Sequence, residues 1–344
     1  MGSQSFARGV VIYSGQHYRV FGGGQTTTQL ARAFLRRGYE VLFVPLSMWA
    51  RHGANTGTDL EAGVVEVTLD HSGEVVQDFM ATHRPGLWLC GLPTKAALTQ
   101  LQTVPVSWPT VYHIRDDWTA FAEDWWERET ELQIAREVDE VTAITPQYAG
   151  LAGREVVVVA NAHDPGLFRF RARPQAPERP RVVYWGSYGR QFWRDEIFRG
   201  IAQALPGWQF VLVGGYDHYW CPDGLPRNVE RWGWRPVQEV GAIAEACDIG
   251  LIPFGTAISE HCDPIKAHEM VACGLPIVAC GCPAVELLGL PACRHVEASV
   301  GAMVEALVLT QSTAVAVAEQ QRFAATDTWD DRVRQFEEVV GIAQ

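Results

Sequence analysis

The chain contains no uninterrupted apolar run approaching the about 18–20 residues that a membrane-spanning helix requires. Hydrophobic residues nevertheless make up 47% of its 344 positions, the composition of a globular protein. Met1 to Arg8 lack a basic start followed by an apolar core, so no secretory leader is expected; the first strand begins almost at once, and a cytoplasmic location follows. Positive charge is also short, with a net charge of −12. Phosphate backbones are bound through clustered Lys and Arg, so nucleic acid is not an expected partner, whereas a single anionic nucleotide needs only local positive charge. The eight cysteines include no paired Cys-x-x-Cys spacing, and Cys247, Cys273 and Cys280 stand in apolar runs, where cysteine behaves as a small hydrophobe. Neither disulfides nor a metal site is expected. The dinucleotide fingerprint is missing too: Gly22-Gly23-Gly24 comes well after the first strand, which weakens a dehydrogenase reading.

What is present is alternation. Short apolar runs alternate with helical patterns, the mark of βαβ units and a mainly parallel sheet, over a length that suits two domains. The first half predicts strands at 9–13, 40–44, 87–90, 109–114, 140–144 and 155–159. Between the first two, Leu30, Ala31, Phe34 and Leu35 recur at helical spacing up to Gly38. Arg169 to Pro180, rich in Pro and Arg without a period, reads as a linker. A second series then predicts strands near 181–185, 208–213, 249–252 and 276–280, followed by helical patterns at 300–309, 315–325 and 329–340. The expected architecture is α/β, with two Rossmann-like, doubly wound domains over 1–168 and 181–326 and a C-terminal helix over 327–344. Open α/β sheets bind ligands outside the carboxyl ends of their strands, so a cleft facing both sheets is expected there.

The most informative stretch is Asp263 to Ala279. Asp263 suits a helix N-cap and Pro264 the first helical position, while Gly274 can take the left-handed turn that stops a helix. The first turn, Pro264, Ile265 and Lys266, then offers free amides, the positive end of the helix dipole and a full charge, which suit a diphosphate. Glu269 lies one turn on, where a carboxylate can accept hydrogen bonds from a ribose diol. The alternative is an ordinary exposed Lys266/Glu269 pair. A carboxylate at the cap would compete with phosphate for the same amides, so the donor reading requires Asp263 to sit outside the cap or turn away.

Other segments carry chemistry as well. Asp116 and Asp117 end a predicted strand, where adjacent side chains point oppositely, so one of them can face the cleft as a base that takes an acceptor's proton. Helix capping or pairing with Arg115 is the alternative for either. His113 is a substrate contact or a core histidine. Trp118, Phe121, Trp125 and Trp126 cluster just beyond, as core packing, as a stacking surface for an acceptor sugar, or as a contact with a membrane interface. Gly186-Ser187-Tyr188-Gly189-Arg190 follows a strand, in a place where a glycine-rich turn approaches phosphates, and Arg190 or Arg194 can pair with them. Gly22, Gly23 and Gly24 precede a helix, either as a surface loop or as a close approach to a ligand.

Together these segments resemble GT-B glycosyltransferases, in particular bacterial teichuronic-acid-type and xanthan-glucuronosyltransferase-like enzymes. The run Pro264-x-Lys266-x-x-Glu269-x-x-Ala272-x-Gly274-x-Pro276-Ile277-Val278-Ala279 is similar to their donor-site segment. Val111 to Phe121, Val157 to Phe168 and Ile249 to Phe254 match further elements, in the family's order over most of the chain. The resemblance implies transfer of a hexosyl group from a nucleotide-diphosphate sugar, UDP- or GDP-linked, to a glycan, lipid-linked or other acceptor in cell-surface polysaccharide or glycoconjugate synthesis, with no metal and no cofactor beyond the sugar nucleotide. It favours Asp116 as the base, places Trp232-Gly233-Trp234-Arg235-Pro236 in the loop that holds the nucleobase, and has the last helix cross back to the N-terminal domain. A lipid-linked acceptor would bring the enzyme to the inner face of the membrane. Where many retaining members carry a second glutamate, this chain has His261, so stereochemistry stays open. A nucleotide-sugar 2-epimerase and a non-catalytic nucleotide-sugar-binding protein are the alternatives.

Overall fold

The computed structural model describes residues 7–18, 24–45, 62–67, 72–120, 126–173, 176–188, 192–215, 224–255 and 258–342. The chain forms two compact units, Met1–Ala160 with Trp329–Gln344, and Asn161–Thr328.

In the first unit, strands β1 (Arg8–Tyr13), β2 (Tyr39–Val44), β3 (Val64–Glu66), β4 (Arg84–Cys90), β5 (Thr110–Ile114), β6 (Glu140–Ala143) and β7 (Val157–Val158) alternate with helices α1 (Thr26–Arg36), α2 (Ser72–Thr82), α3 (Lys95–Leu101) and α4 (Arg128–Glu137). They form one parallel sheet in the order β3-β2-β1-β4-β5-β6-β7. Central strands such as β1, whose Val10, Val11 and Ile12 are fully buried, are apolar on both faces because helices cover both sides of the sheet.

The second unit holds β8 (Arg181–Gly186), α5 (Asp195–Ala204), β9 (Gln209–Gly214), β10 (Val229–Gly233), α6 (Val237–Glu245), β11 (Ile249–Pro253), α7 (Ile265–Ala272), β12 (Ile277–Cys280), β13 (Cys293–Val296), α8 (Val300–Ser312) and α9 (Val317–Thr326). Its parallel sheet runs β10-β9-β8-β11-β12-β13. The last helix, α10 (Trp329–Val339), packs on α1 of the first unit. There Glu337 accepts from Arg37 and the Tyr39 hydroxyl, Arg36 forks onto Asp330, and Arg332 donates to the Ala160 carbonyl.

Three strands escape the apolar-run reading: β3, β10 and β13. All three are sheet edges. An edge strand is covered on fewer sides, so it need not be continuously apolar. The boundary between the units falls after Ala160, so residues 161–168 belong to the second unit, not the first. Nor is the Pro/Arg-rich stretch a free tether. Arg173 is buried and donates to the carbonyls of Ala244, Cys247 and Cys273, at the C-terminal ends of α6 and α7, where unpaired carbonyls attract a cation.

Among the described residues, no single helix is long and apolar enough to cross a membrane, and no group of three or more His, Cys, Asp or Glu side chains is arranged to hold a metal ion. Seven cysteines among the described residues are free, six of them buried.

Candidate active site

In each sheet the strand order reverses once, between β1 and β4 in the first and between β8 and β11 in the second. The carboxyl ends of the strands at such a reversal form the natural ligand crevice of an open α/β sheet. At the second reversal lies Lys266. Its ammonium sits 5.6 Å from the ring centre of Tyr184 on β8 and 5.0 Å from that of Phe254, just past β11. Its stem runs over Gly186, the last residue of β8, so closely that a β-carbon there would come within 2.8 Å of Lys266 Cε. Gly186 also has φ +126°, which L side chains rarely adopt. This glycine therefore makes room for the lysine as well as for a turn. Among the described residues the ammonium has no carboxylate or hydrogen-bond acceptor, and burial lowers its pKa.

Helix α7 starts differently from the expectation. Its N-cap is Pro264, which has no side-chain capping bond, and Ile265 is the first helical residue. Asp263 turns away: one carboxylate oxygen accepts from His268 Nε2 at 2.8 Å and the other from the Asn161 amide at 2.8 Å. Gly274, with φ +78°, ends the helix beside the Arg171 carbonyl, too close for any side chain.

Glu269 is not half of an exposed ion pair. It is 5% exposed, and its Oε2 accepts from the Trp185 indole at 2.7 Å. Burial raises its pKa to about 7, against the Trp185 hydrogen bond and the pull of Lys266. Trp185 is a partner that sequence reasoning overlooked, since inside an apolar strand it looks like pure core.

Trp234 and Arg235 follow β10 at the same carboxyl edge, Trp234 with an exposed ring, while Trp232 and Gly233 belong to the strand itself and not to a loop. Arg190 lies outside the described residues. Arg194 is engaged, with its guanidinium on the Gly255 carbonyl and on Glu196.

At the first reversal the residue that does the tying is Arg115. Its buried guanidinium donates to the Gly91 carbonyl past β4 and the Ser14 carbonyl past β1, binding three strand ends together. Asp116 follows it, half-buried and without a hydrogen-bond partner among the described residues. Burial raises its pKa to about 6; Arg115 opposes the rise and Asp117 adds to it. Asp117 instead accepts from the amide and hydroxyl of Thr119, capping the short turn Trp118–Ala120. His113 has the surroundings of the core alternative. It is buried, bonded through Nδ1 to Thr142 and packed edge-on against Phe336, and burial drives its pKa down to about 3. Trp118 is buried beneath the Arg115 guanidinium and Trp126 donates to Glu131; Phe121 and Trp125 lie outside the described residues. So do Gly22 and Gly23, while Gly24 precedes the first turn of α1.

Residues 179–310 match the family described as glycosyl transferases group 1. No curated protein sequence matches the chain. Among solved structures it is similar to sucrose-phosphate synthase from Thermosynechococcus elongatus, with TM-score 0.70 and 15% identity over 96% of this chain and 98% of that one. Anabaena HepE in complex with UDP-glucose gives TM-score 0.67 and 15% identity over 97% and 99%. AviGT4, a glycosyltransferase involved in avilamycin A biosynthesis, gives 0.63 and 16% over 96% and 97%. With two parallel, helix-flanked sheets matching these structures over nearly their whole length, the chain has the two-domain, Rossmann-like GT-B fold, and the stretch that matches the glycosyl transferases group 1 family lies in its second unit.

Proposed function

We propose that the protein is a metal-independent hexosyltransferase, of the kind that teichuronic-acid-type enzymes exemplify, using a UDP- or GDP-linked sugar and a glycan, lipid-linked or other hydroxyl acceptor in cell-surface polysaccharide or glycoconjugate synthesis. One observation carries the reading: an ammonium with no ion pair among the described residues, Lys266, set at the strand reversal beside an uncapped helix N-terminus, with a carboxylate one turn on.

When the bond between the sugar's anomeric carbon and the diphosphate breaks, the bonding pair leaves with the diphosphate. Lys266 and the first amides of α7 would meet the charge that develops there, which lowers the barrier because they need no reorganisation. Glu269, oriented by Trp185, would accept from the ribose hydroxyls. In an inverting reaction Asp116 would take the acceptor proton, and a carboxyl that titrates near pH 6 is ionised at neutral pH yet basic enough to do so. Work on a lipid-linked acceptor would place the protein in the cytoplasm at the inner face of the membrane.

The test is calorimetric titration with UDP and GDP, followed by incubation with UDP- and GDP-sugars with and without acceptor extract. Binding of one diphosphate and acceptor-dependent release of it are expected; binding of neither would refute the proposal.

A further inference from the structure

We infer that His268 is a positioning residue for the donor helix: by holding Asp263 away from the N-terminus of α7 it keeps the first-turn amides free for the diphosphate. The inference rests on the donor reading above and adds to it a residue and a mechanism.

An aspartate beside the start of a helix is among the strongest of N-caps, because its carboxylate accepts from the first free amides. It is also chemically the same kind of ligand as a phosphate, an anion attracted to the positive end of the helix. Asp263 stands immediately before the N-cap Pro264 and nevertheless caps nothing. Its two oxygens are committed elsewhere, to His268 Nε2 at 2.8 Å and to the Asn161 amide at 2.8 Å, and the Asp263 carbonyl accepts from the Asn161 side chain as well.

His268 stands inside α7 and reaches back past the first turn. Its other nitrogen, Nδ1, lies 2.6 Å from Asp327, and Asp327 in turn accepts the His163 amide through its carbonyl. Asp263, His268 and Asp327 are all buried. An imidazole that faces a carboxylate on each side donates from both nitrogens only as the cation. The two carboxylates supply the reason it stays charged, raising its pKa to about 10 against desolvation. The negative charge of Asp263 is thus partly offset where it stands, by a cation it shares with Asp327, and is turned away from the helix end instead of lying across it.

A merely structural histidine would give a different experimental pattern. In His268→Gln the amide donates to only one of the two carboxylates, and Asp263 is released toward the open amides. UDP and GDP are titrated calorimetrically into the wild type, His268→Gln, Asp263→Ala and the double variant, with uridine and guanosine measured by competition and folding checked by thermal melting. His268→Gln is expected to weaken the diphosphate about tenfold and leave the nucleoside unchanged, the size of effect a competing cap interaction gives. Removing the competitor in Asp263→Ala/His268→Gln should restore affinity to within about twofold of the wild type. Equal losses for diphosphate and nucleoside, or no recovery in the double variant, overturn the inference. Should His268→Gln not fold, Asp263→Ala alone decides. Retained diphosphate affinity supports the inference, and a tenfold loss would show that Asp263 assists the site and overturn it. A wild type that binds neither UDP nor GDP would instead overturn the donor reading, and the inference with it.

Discussion

Replacing Glu269 with glutamine should make the ligand-free protein more stable at alkaline pH while weakening its hold on the nucleotide. Glu269 is buried, and its pKa rises from the usual 4.5 to about 7 in the folded state. At 1.36 kcal/mol per pKa unit, ionising it in place costs the folded state about 3 kcal/mol relative to ionising it in the unfolded chain. The folded value lies above the unfolded one. The favourable contribution of the neutral carboxyl is therefore fully present below about pH 4.5, is lost as pH rises from there to about 7, and stays lost above it. Glutamine keeps the shape and can still accept from Trp185, but it has no proton to lose. The melting-temperature difference between Glu269→Gln and wild type should be near zero at the acid end and grow through the neutral range. It should level off at about 6–12 °C, since about 3 kcal/mol corresponds to roughly that shift in a unit of this size. Thermal melts of both proteins from pH 4.5 to 8.5 without ligand measure it directly. The same variant should lose roughly 10- to 150-fold in UDP or GDP affinity, the worth of hydrogen bonds to a charged acceptor at about 1.5–3 kcal/mol. A stability difference that does not change with pH, or a variant less stable than wild type at pH 8, would refute the reasoning about burial at this carboxyl.

Lys266→Ala should weaken UDP or GDP strongly and the parent nucleoside little, as calorimetry and competition would show, because in the proposed site the ammonium would meet only phosphate. Asp116→Asn should lower kcat by about 10²–10⁴-fold with donor affinity nearly intact, and Asp117→Asn should do less, since Asp117 caps a turn. The wild-type rate should climb as pH rises through about 6, where Asp116 loses its proton, and that limb of the pH profile should vanish in Asp116→Asn. Turnover should survive exhaustive EDTA treatment; a strict requirement for Mg²⁺ or Mn²⁺ would reassign Asp116 and Asp117.

How much of this was legible in the residues themselves follows from what each signal depends on. The two doubly wound sheets were readable because a parallel strand covered by helices on both faces is largely apolar, as β11 and β12 are throughout and β1, β5 and β8 are over most of their length. The bounds of α7 were readable to within a residue, because proline and glycine act through their own backbone. Lys266 had a second signal that was there to be used: it is one of only two lysines among 28 basic residues, in a chain that otherwise relies on arginine.

The partners of these groups were not legible. Trp185 and Glu269 are 84 positions apart, His268 and Asp327 59, and Arg115 and Ser14 101. No local pattern announces a hydrogen bond between residues that only the folded chain brings together. Asp116, Asp117 and His113 share one strand end and three chemically plausible roles; which is core, which is cap and which is left without a partner was settled by the direction each side chain takes from β5 and by what packs there. The sequence by itself determined the central strands of both sheets, the ends of α7 to within a residue and the residue types available to the site, because those depend on periodicity and on backbone-restricting residues close together in the chain. Tertiary structure alone decided that Asp263 turns from its helix toward His268, that Glu269 is buried and that Lys266 lies over two aromatic rings with no ion pair among the described residues, because burial and charge pairing are properties of neighbours in space.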